Sequence, residues 1–297
     1  MTVQTSASPD GTLAVLTTRI RLEERLILEA LEHRGVPHES VDDRTLVRDL
    51  ASRTGVRHRG VLNRIMSHTR SLYAARLYES AGHTVFNTAD VIDVCGDKLR
   101  TSLALVDAGV PTPRTVVALT PDAALRAVEE IGYPAVLKPL VGSWGRLLSK
   151  VNDRDAAETV IEHRQSLRSP QHSVFYVQEF IDAPGRDIRA LVLGDRVVAA
   201  VYRTSDHWIT NTARGASTQV CEVTPELAKL ALAAAEAVGG GMLAVDLIER
   251  RDGEVLVTEV NHTMEFHGLM AATGLDVAGL VVDHVLDALR DEEVTAA

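Results

Sequence analysis

Residues 254–262 read EVLVTEVNH, an apolar run that carries Glu259 and Asn261 two positions apart. In an extended strand successive side chains alternate, so Val255, Val257, Glu259 and Asn261 fall on one face and Leu256, Thr258 and Val260 on the other. The preceding run, residues 243–248 (LAVDLI), holds one acid, Asp246. Between the two runs stands Arg251-Asp252-Gly253-Glu254, and Asp-Gly flanked by hydrophobic segments is a strong signal for a two-residue hairpin loop. Such a loop pairs Arg251 with Glu254 and, counting back, Asp246 with Glu259. Opposed residues have Cβ atoms about 4.5–5.5 Å apart, and like charges so placed repel. Asn261 is the diagonal neighbour on the same face. Two readings fit: a hairpin whose acids point to solvent, with a bulge shifting the register, or a cluster of hard oxygen donors suited to Mg²⁺ or Mn²⁺, with phosphates and water completing the shell.

The rest of the chain sets the context. At 297 residues, 45% hydrophobic and 24% charged, it has the composition of an ordinary globular protein with room for two or three domains. No run of eighteen apolar residues occurs, and the opening MTVQTSASPDGT lacks a basic and apolar leader pattern, so the expected location is the cytoplasm. Cys95 and Cys221 have no metal-ligand spacing and read as reduced thiols. A net charge of −10 argues against nucleic acid as the main partner. Residues 44–76 run against that balance: Arg44, Arg48, Arg53, Arg57, Arg59, Arg64, Arg70 and Arg76 face one acid, Asp49. Either they dock an acidic partner, or they are helix-face arginines paired with acids elsewhere.

Punctuation divides the chain into α/β units. A strand at residues 12–16 leads to an amphipathic helix from Leu22 to Arg34, ended by Gly35 and Pro37, and a helix with Leu72 and Leu77 precedes a strand near 83–87. No Gly-x-Gly-x-x-Gly follows the first strand, which removes the dinucleotide fingerprint. Past a boundary near 91–96 come a helix over 98–107 and a strand over 115–118. A helix opens at Thr120-Pro121-Asp122 and stops at Gly132, and a strand spans 133–139. A third region is expected to open with a strand at 174–181. It continues through strands at 189–193 and 197–202, a helix from Thr224-Pro225-Glu226 to Gly239-Gly240-Gly241, the hairpin, and a last helix over 277–289.

Lys138 follows Ala135-Val136-Leu137. A lysine in an apolar strand either reaches solvent at an edge or meets an anion. The loop after it, Gly142-Ser143-Trp144-Gly145-Arg146, offers backbone N–H groups with little steric cover, as phosphate oxygens require. What is distinctive is the order: Lys98, Lys138, the glycine loop, Val177-Gln178-Glu179-Phe180-Ile181, then the acid and the acid-x-Asn.

That ordered set resembles the ATP-grasp ligases of the RimK-like branch. Cys95-Gly96-Asp97-Lys98, residues 142–148 (GSWGRLL), Pro184-Gly185-Arg186-Asp187-Ile188-Arg189, residues 208–215 (WITNTARG) and residues 260–266 (VNHTMEF) are most similar to the LysX ligases. The resemblance implies an α/β (α+β) fold of three domains, here 1–94, 95–173 and 174–297, with ATP between the central and C-terminal ones. It further implies that Lys98, Lys138, Gly142, Ser143 and Gly145 hold phosphates, Gln178, Glu179, Phe180 and Ile181 the adenine edge, and Asp187 the ribose. Asp246, Glu259 and Asn261 would bind two Mg²⁺. Arg189, Asn211 and Arg214 would face the reacting carboxylate and its acyl phosphate; the alternative for Arg214 is a structural ion pair. Arg203, Thr212, Gly215, His262, Thr263, Glu265 and Phe266 would surround the substrates.

By the same resemblance, the chain would join 2-aminoadipate through its α-amino group to the C-terminal glutamate γ-carboxyl of a small, acidic, LysW-like carrier protein in lysine biosynthesis, as a homotetramer. The carrier would be the acidic partner of residues 44–76. The sequence departs from LysX at Ala216-Ser217, where Gly-Gln is usual, and at His267-Gly268, where Lys-Asn is usual. Those departures open the alternative of another amino acid in a specialised pathway. Three rivals lack support: a RimK-type protein glutamate ligase would not carry residues 261–266 as they stand, a non-catalytic ATP-binding module would have lost a phosphate lysine or metal ligand, and a metal hydrolase would add a histidine pair or a nucleophile.

Overall fold

The computed structural model describes residues 11–51, 58–142, 145–167, 170–210 and 215–296. Ser143, Trp144, Asn211, Thr212, Ala213 and Arg214, like Arg53 and Arg57, lie outside the described residues.

Three sheets organise the chain. The first is parallel, in the order β2-β1-β3-β4, from β1 (Leu13–Thr17), β2 (His38–Asp42), β3 (Gly60–Asn63) and β4 (Val85–Phe86). Helices α1 (Leu22–His33), α2 (His68–Glu79) and α3 (Ala89–Cys95) accompany it, and α4 (Lys98–Asp107) leads away. The second is antiparallel, in the order β5-β8-β6-β7: β5 (Thr115–Ala118), β6 (Ala135–Lys138), β7 (Ser149–Val151) and β8 (Phe175–Glu179). Apolar faces of α5 (Pro121–Ile131) and α6 (Arg154–Ser166) cover it, with Ala124, Val128, Ala157 and Ile161 packed on Leu137, Phe175 and Val177. The third, also antiparallel, runs β11-β10-β9-β12-β13 through β9 (Arg186–Leu193), β10 (Arg196–Thr204), β11 (Ser217–Cys221), β12 (Met242–Glu249) and β13 (Val255–Asn261), with α7 (Pro225–Ala237), α8 (His267–Thr273) and α9 (Val277–Ala296).

Where the sequence spells a cap, the helix starts as expected. Thr120 accepts from the Ala123 N–H at 3.3 Å with Pro121 in the first turn, and Thr224 accepts from the Leu227 N–H at 3.2 Å. One assignment changes. The strand at 175–179, read as the opening of the third region, is an inner strand of the second sheet, paired with β5 on one side and β6 on the other. The break between the second and third units therefore falls after it rather than at 173.

The third sheet has two unlike faces. Ile188, Ala190, Val192, Ala200, Leu243, Val245 and Leu247 point into one apolar layer with α7. On the other face Leu191, Leu193, Ala199, Val201, Met242 and Ala244 pack against α8, α9 and α1. Alternation then requires Asp187, Arg189, Arg203 and Asp246 to continue that second face beyond the helices. The N-terminal unit is bound to this sheet by the buried Asn87, whose amide donates to the carbonyls of Met242 and His262, both at 2.8 Å, and accepts from the Met242 N–H at 2.7 Å.

Four of the arginines of residues 44–76 meet acids supplied by the fold. Arg44 pairs with Asp42, Arg70 with Asp43 and Arg76 with Asp93, while Arg64 is buried against Glu24. No single helix among the described residues is long and apolar enough to cross a membrane.

Candidate active site

The hairpin sets the geometry. Asp246 does face Glu259, but by a route the sequence did not reveal. The turn closes between Arg250 and Glu254, with Gly253 at φ +94° inside a three-residue loop, which displaces the register by one. Thr258 is then an extra, unpaired residue, a bulge that displaces it back. The bulge also splits the predicted face: Val257 and Val260, three apart, both enter the apolar layer, leaving Glu259 and Asn261 on the side of Asp246. The valines and the oxygen donors thus do not share a face.

Across the sheet Glu259, Asp246 and Arg189 stand in one row on β13, β12 and β9. Arg189 grips Asp246 through two bonds, Nε to Oδ1 at 2.8 Å and Nη2 to Oδ2 at 2.9 Å. Arg203, directly across from Asp187, holds that carboxylate with Nε at 2.7 Å and reaches Asp246 Oδ2 at 3.2 Å. Thr210 donates a further bond to Asp187. Burial pushes the Asp187 carboxyl up, whereas Asp246, buried as deeply, is held below the carboxylate range by its two arginines. Nη1 of Arg203 is buried with no partner among the described residues. A guanidinium N–H in that state is costly unless an anion arrives.

On the second sheet and α4 sit the lysines. Asp97 caps α4, and Lys98 at its first turn places Nζ 3.0 Å from Glu259 Oε1 and 3.0 Å from the Gly142 carbonyl. Lys138 ends β6, its pKa lowered to about 8 chiefly by burial and further by Lys98, with Glu259 and Asp246 opposing. One cavity of about 450 Å³ takes in all these groups. Of the residues singled out in the sequence, Lys98, Lys138, Gly142, Gly145, Gln178, Glu179, Phe180, Ile181, Asp187, Arg189, Arg203, Asp246, Glu259, Asn261, His262, Thr263 and Glu265 line it.

Some assignments change in detail. Phe266 is 1% exposed, belongs to the core between α1, α8 and α9, and does not line the cavity; nor does Gly215. The Asp187 carboxylate, expected at a ribose, is engaged by Arg203 and Thr210. The Gln178 amide donates to Thr115 and Tyr176, and the Glu179 carboxylate takes Arg250 and the Arg114 N–H. What remains of that stretch for an adenine edge is backbone, the Phe180 ring and Ile181. Ser143, Asn211, Thr212 and Arg214 fall outside the described residues. Conversely, Arg21, Met66 and His68 of the N-terminal unit line the cavity and went unnoticed in the sequence. Arg21 donates to Glu265 at 3.0 Å, and His68 sits where a Cβ on Gly96 would lie 1.9 Å from its ring. The visible signal was Gly96, beside the lysine of residues 95–98; its long-range partner was not legible.

For a metal, no three His, Cys, Asp or Glu side chains among the described residues form a self-sufficient cage. Two carboxylates and one amide make a hard-oxygen set that lacks ligands, which suits Mg²⁺ when substrate phosphates supply the rest. The donor set therefore fits.

Two family models match. One, described as a RimK-like ATP-grasp domain, covers residues 95–285, and the other, a LysX preATP-grasp domain, covers residues 13–94. The chain is 35% identical to the glutamate–LysW ligase ArgX of Sulfolobus acidocaldarius over 92% of this chain and 97% of that one. It is 34% identical to the α-aminoadipate–LysW ligase LysX of the same organism, over 78% and 83%. A crystal structure of a RimK domain ATP-grasp protein from Sphaerobacter thermophilus superposes with a TM-score of 0.78 at 31% identity, covering 92% of this chain and 98% of that one. With the lysines, the acid pair and the asparagine lining one cavity, the chain belongs to the RimK-like ATP-grasp ligases, in the group that includes the LysX and ArgX LysW ligases.

Proposed function

We propose that the enzyme activates the C-terminal glutamate γ-carboxyl of a small acidic LysW-type carrier as an acyl phosphate and joins it to the α-amino group of an acidic amino acid, 2-aminoadipate in the first place. The observation that carries this reading is the row Glu259–Asp246–Arg189 with Arg203 beside it, facing Lys98 and Lys138 in one cavity. A carboxylate does not acylate an amine in water until one oxygen becomes a leaving group. Phosphoryl transfer is mostly positioning and charge neutralisation, and the two lysines and two arginines supply both. Asp246, Glu259 and Asn261 would hold Mg²⁺, which neutralises phosphate charge when bound. Two ions is the number we propose. Arg203, whose buried Nη1 has no partner among the described residues, is a donor for an anionic oxygen that forms during reaction.

The departures from LysX bear on the substrate. Among the described residues, Ala216, Ser217, His267 and Gly268 line no part of the cavity. His267 turns to Glu23 of α1 at 2.6 Å, and Gly268 accepts from Thr218 at 3.2 Å. They change the support of the loop rather than the wall that reads an amino acid, which favours an acidic substrate. Glutamate is the second reading, supported by the match to the glutamate ligase, 35% identical over 92% of this chain. The two substrates differ by one methylene, which a pocket discriminates by only about 10–200-fold.

Intact mass of a LysW-type carrier, after incubation with enzyme, ATP and Mg²⁺ and each amino acid separately, tests the reading. The expected gain is one aminoadipate residue, formed with a kcat/KM about 10–200-fold above that for glutamate. A larger gain with glutamate transfers the assignment to the second reading, and no gain with either sends the search to other amino acids.

A pH profile is expected from Lys138. Its ammonium is charged below its lowered pKa and lost as pH rises through about 8. Since kcat/KM reports the free enzyme, its value for ATP should fall on the alkaline side of that pH. The limb should move upward in Lys138→Arg; a limb that stays in place means another group titrates.

A further inference from the structure

Arg164 on α6 is 5% exposed and touches no carboxylate among the described residues. Burial pushes its guanidinium down to about 10. A buried charge without a counter-charge requires several good acceptors. Arg164 has three, all main-chain carbonyls: Nη1 donates to Lys138 at 2.9 Å, and Nη2 donates to Leu137 at 3.0 Å and to Leu147 at 2.7 Å. These belong to two places in the chain, the end of β6 where Lys138 projects and the return from the glycine loop.

The return has a second peculiarity. Leu147, at φ +59°, is the one non-glycine residue among those described with positive φ. A leucine there is strained and persists only where its surroundings hold it. The carbonyl that Arg164 grips is its own. The same segment is also secured midway, since Lys98 bonds the Gly142 carbonyl through Nζ and the Leu140 carbonyl through its N–H at 2.9 Å.

We propose that Arg164 is a positioning residue for the phosphate grip: one guanidinium ties the end of β6 to Leu147 and so sets Lys138 and the N–H groups of Gly142 and Gly145 for a nucleotide's phosphates. This rests on the reading that Lys138 binds phosphate. No part of Arg164 lines the main cavity, so its effect passes through the backbone it holds.

Calorimetric titration of the full chain with Mg²⁺ and a non-hydrolysable ATP analogue, and separately with adenosine, tests it on Arg164→Met, Arg164→Lys and Lys138→Met. The expected result for Arg164→Met is a Kd for the analogue raised about tenfold with adenosine binding unchanged. Arg164→Lys should fall between it and the parent. An unchanged analogue Kd overturns the proposal. A parallel loss of both ligands in Arg164→Met is the signature of a structural role and overturns it as well, unless that variant lacks cooperative unfolding. In that event Arg164→Lys decides by the same two readings. If Lys138→Met binds the analogue like the parent, the phosphate reading itself is wrong; if it does not while the Arg164 variants do, only the positioning role fails.

Discussion

Asp246→Asn should lower kcat/KM by about 10²–10³-fold and raise the Mg²⁺ concentration needed for half activity. The carboxylate has two duties that an amide cannot share. It balances Arg189, bonded at 2.8 and 2.9 Å, and Arg203 at 3.2 Å, and it is one of the two carboxylates proposed to hold Mg²⁺. Asparagine keeps the shape and one acceptor oxygen, so Arg189 retains a bond but loses its charge partner, and the freed arginines compete for the phosphate charge that the metal should meet. Asn261→Ala removes a neutral donor, 3.4 Å from Asp246 Oδ2, and should cost less. Initial rates at several Mg²⁺ concentrations separate the two effects. If Asp246→Asn at saturating Mg²⁺ keeps activity within about tenfold of the parent, the assigned role of this carboxylate is wrong, since even outer-shell partners of a metal are worth about 10–100-fold.

How the site could be read in sequence, and where that stopped, depends on what alternation can see. Within one strand, Asp187-Ile188-Arg189 and Asp246-Leu247 announce polar groups on a face whose neighbours are apolar, and the glycine loop after Lys138 is local as well. Of these, Asp187, Arg189, Asp246, Gly142 and Gly145 line the cavity. Pairing across strands is less secure. Asp246 meets Glu259 only because a three-residue turn and the Thr258 bulge offset each other, and neither leaves a mark in the residue types. The bulge explains why the predicted company of Glu259 was wrong while its partner was right. Phe266 lies inside a motif and shares its reading, although its ring belongs to the core. Arg21, Met66 and His68 enter the cavity from a unit whose sheet is built from residues 13–86, and no periodicity connects them to residues 261–266. The strand at 175–179 escapes for a related reason: sequence order groups it with β9, whereas hydrogen bonds group it with β5 and β6.

Arg64→Met should have the largest effect on stability, about 3 kcal/mol or more, because breaking a buried ion pair from one side leaves an uncompensated charge. Glu24 is fully buried, and Arg64 bonds its Oε1 from Nε at 3.2 Å and from Nη2 at 3.0 Å. Arg21 would remain on Glu24, with bonds at 2.9 Å from Nε and from Nη2, so the carboxylate is not wholly deserted. The Met264 carbonyl, however, loses its donor, Arg64 Nη2 at 2.9 Å. Denaturant unfolding of Arg64→Met, Glu24→Gln and the double variant forms a cycle. Removing both charges should cost less than the two single losses together, as expected of partners in direct contact. A loss under about 1 kcal/mol for Arg64→Met, the range of exposed pairs, would mean that Glu24 is satisfied without it. The consequence reaches the active site, since Met264 and Glu265 come directly after the cavity residues His262 and Thr263, and Arg21 holds Glu265 as well as Glu24. An N-terminal unit that is loosened at Arg64 should therefore raise KM for the amino acid before it alters the binding of nucleotide, whose lysines Lys98 and Lys138 stand on α4 and β6.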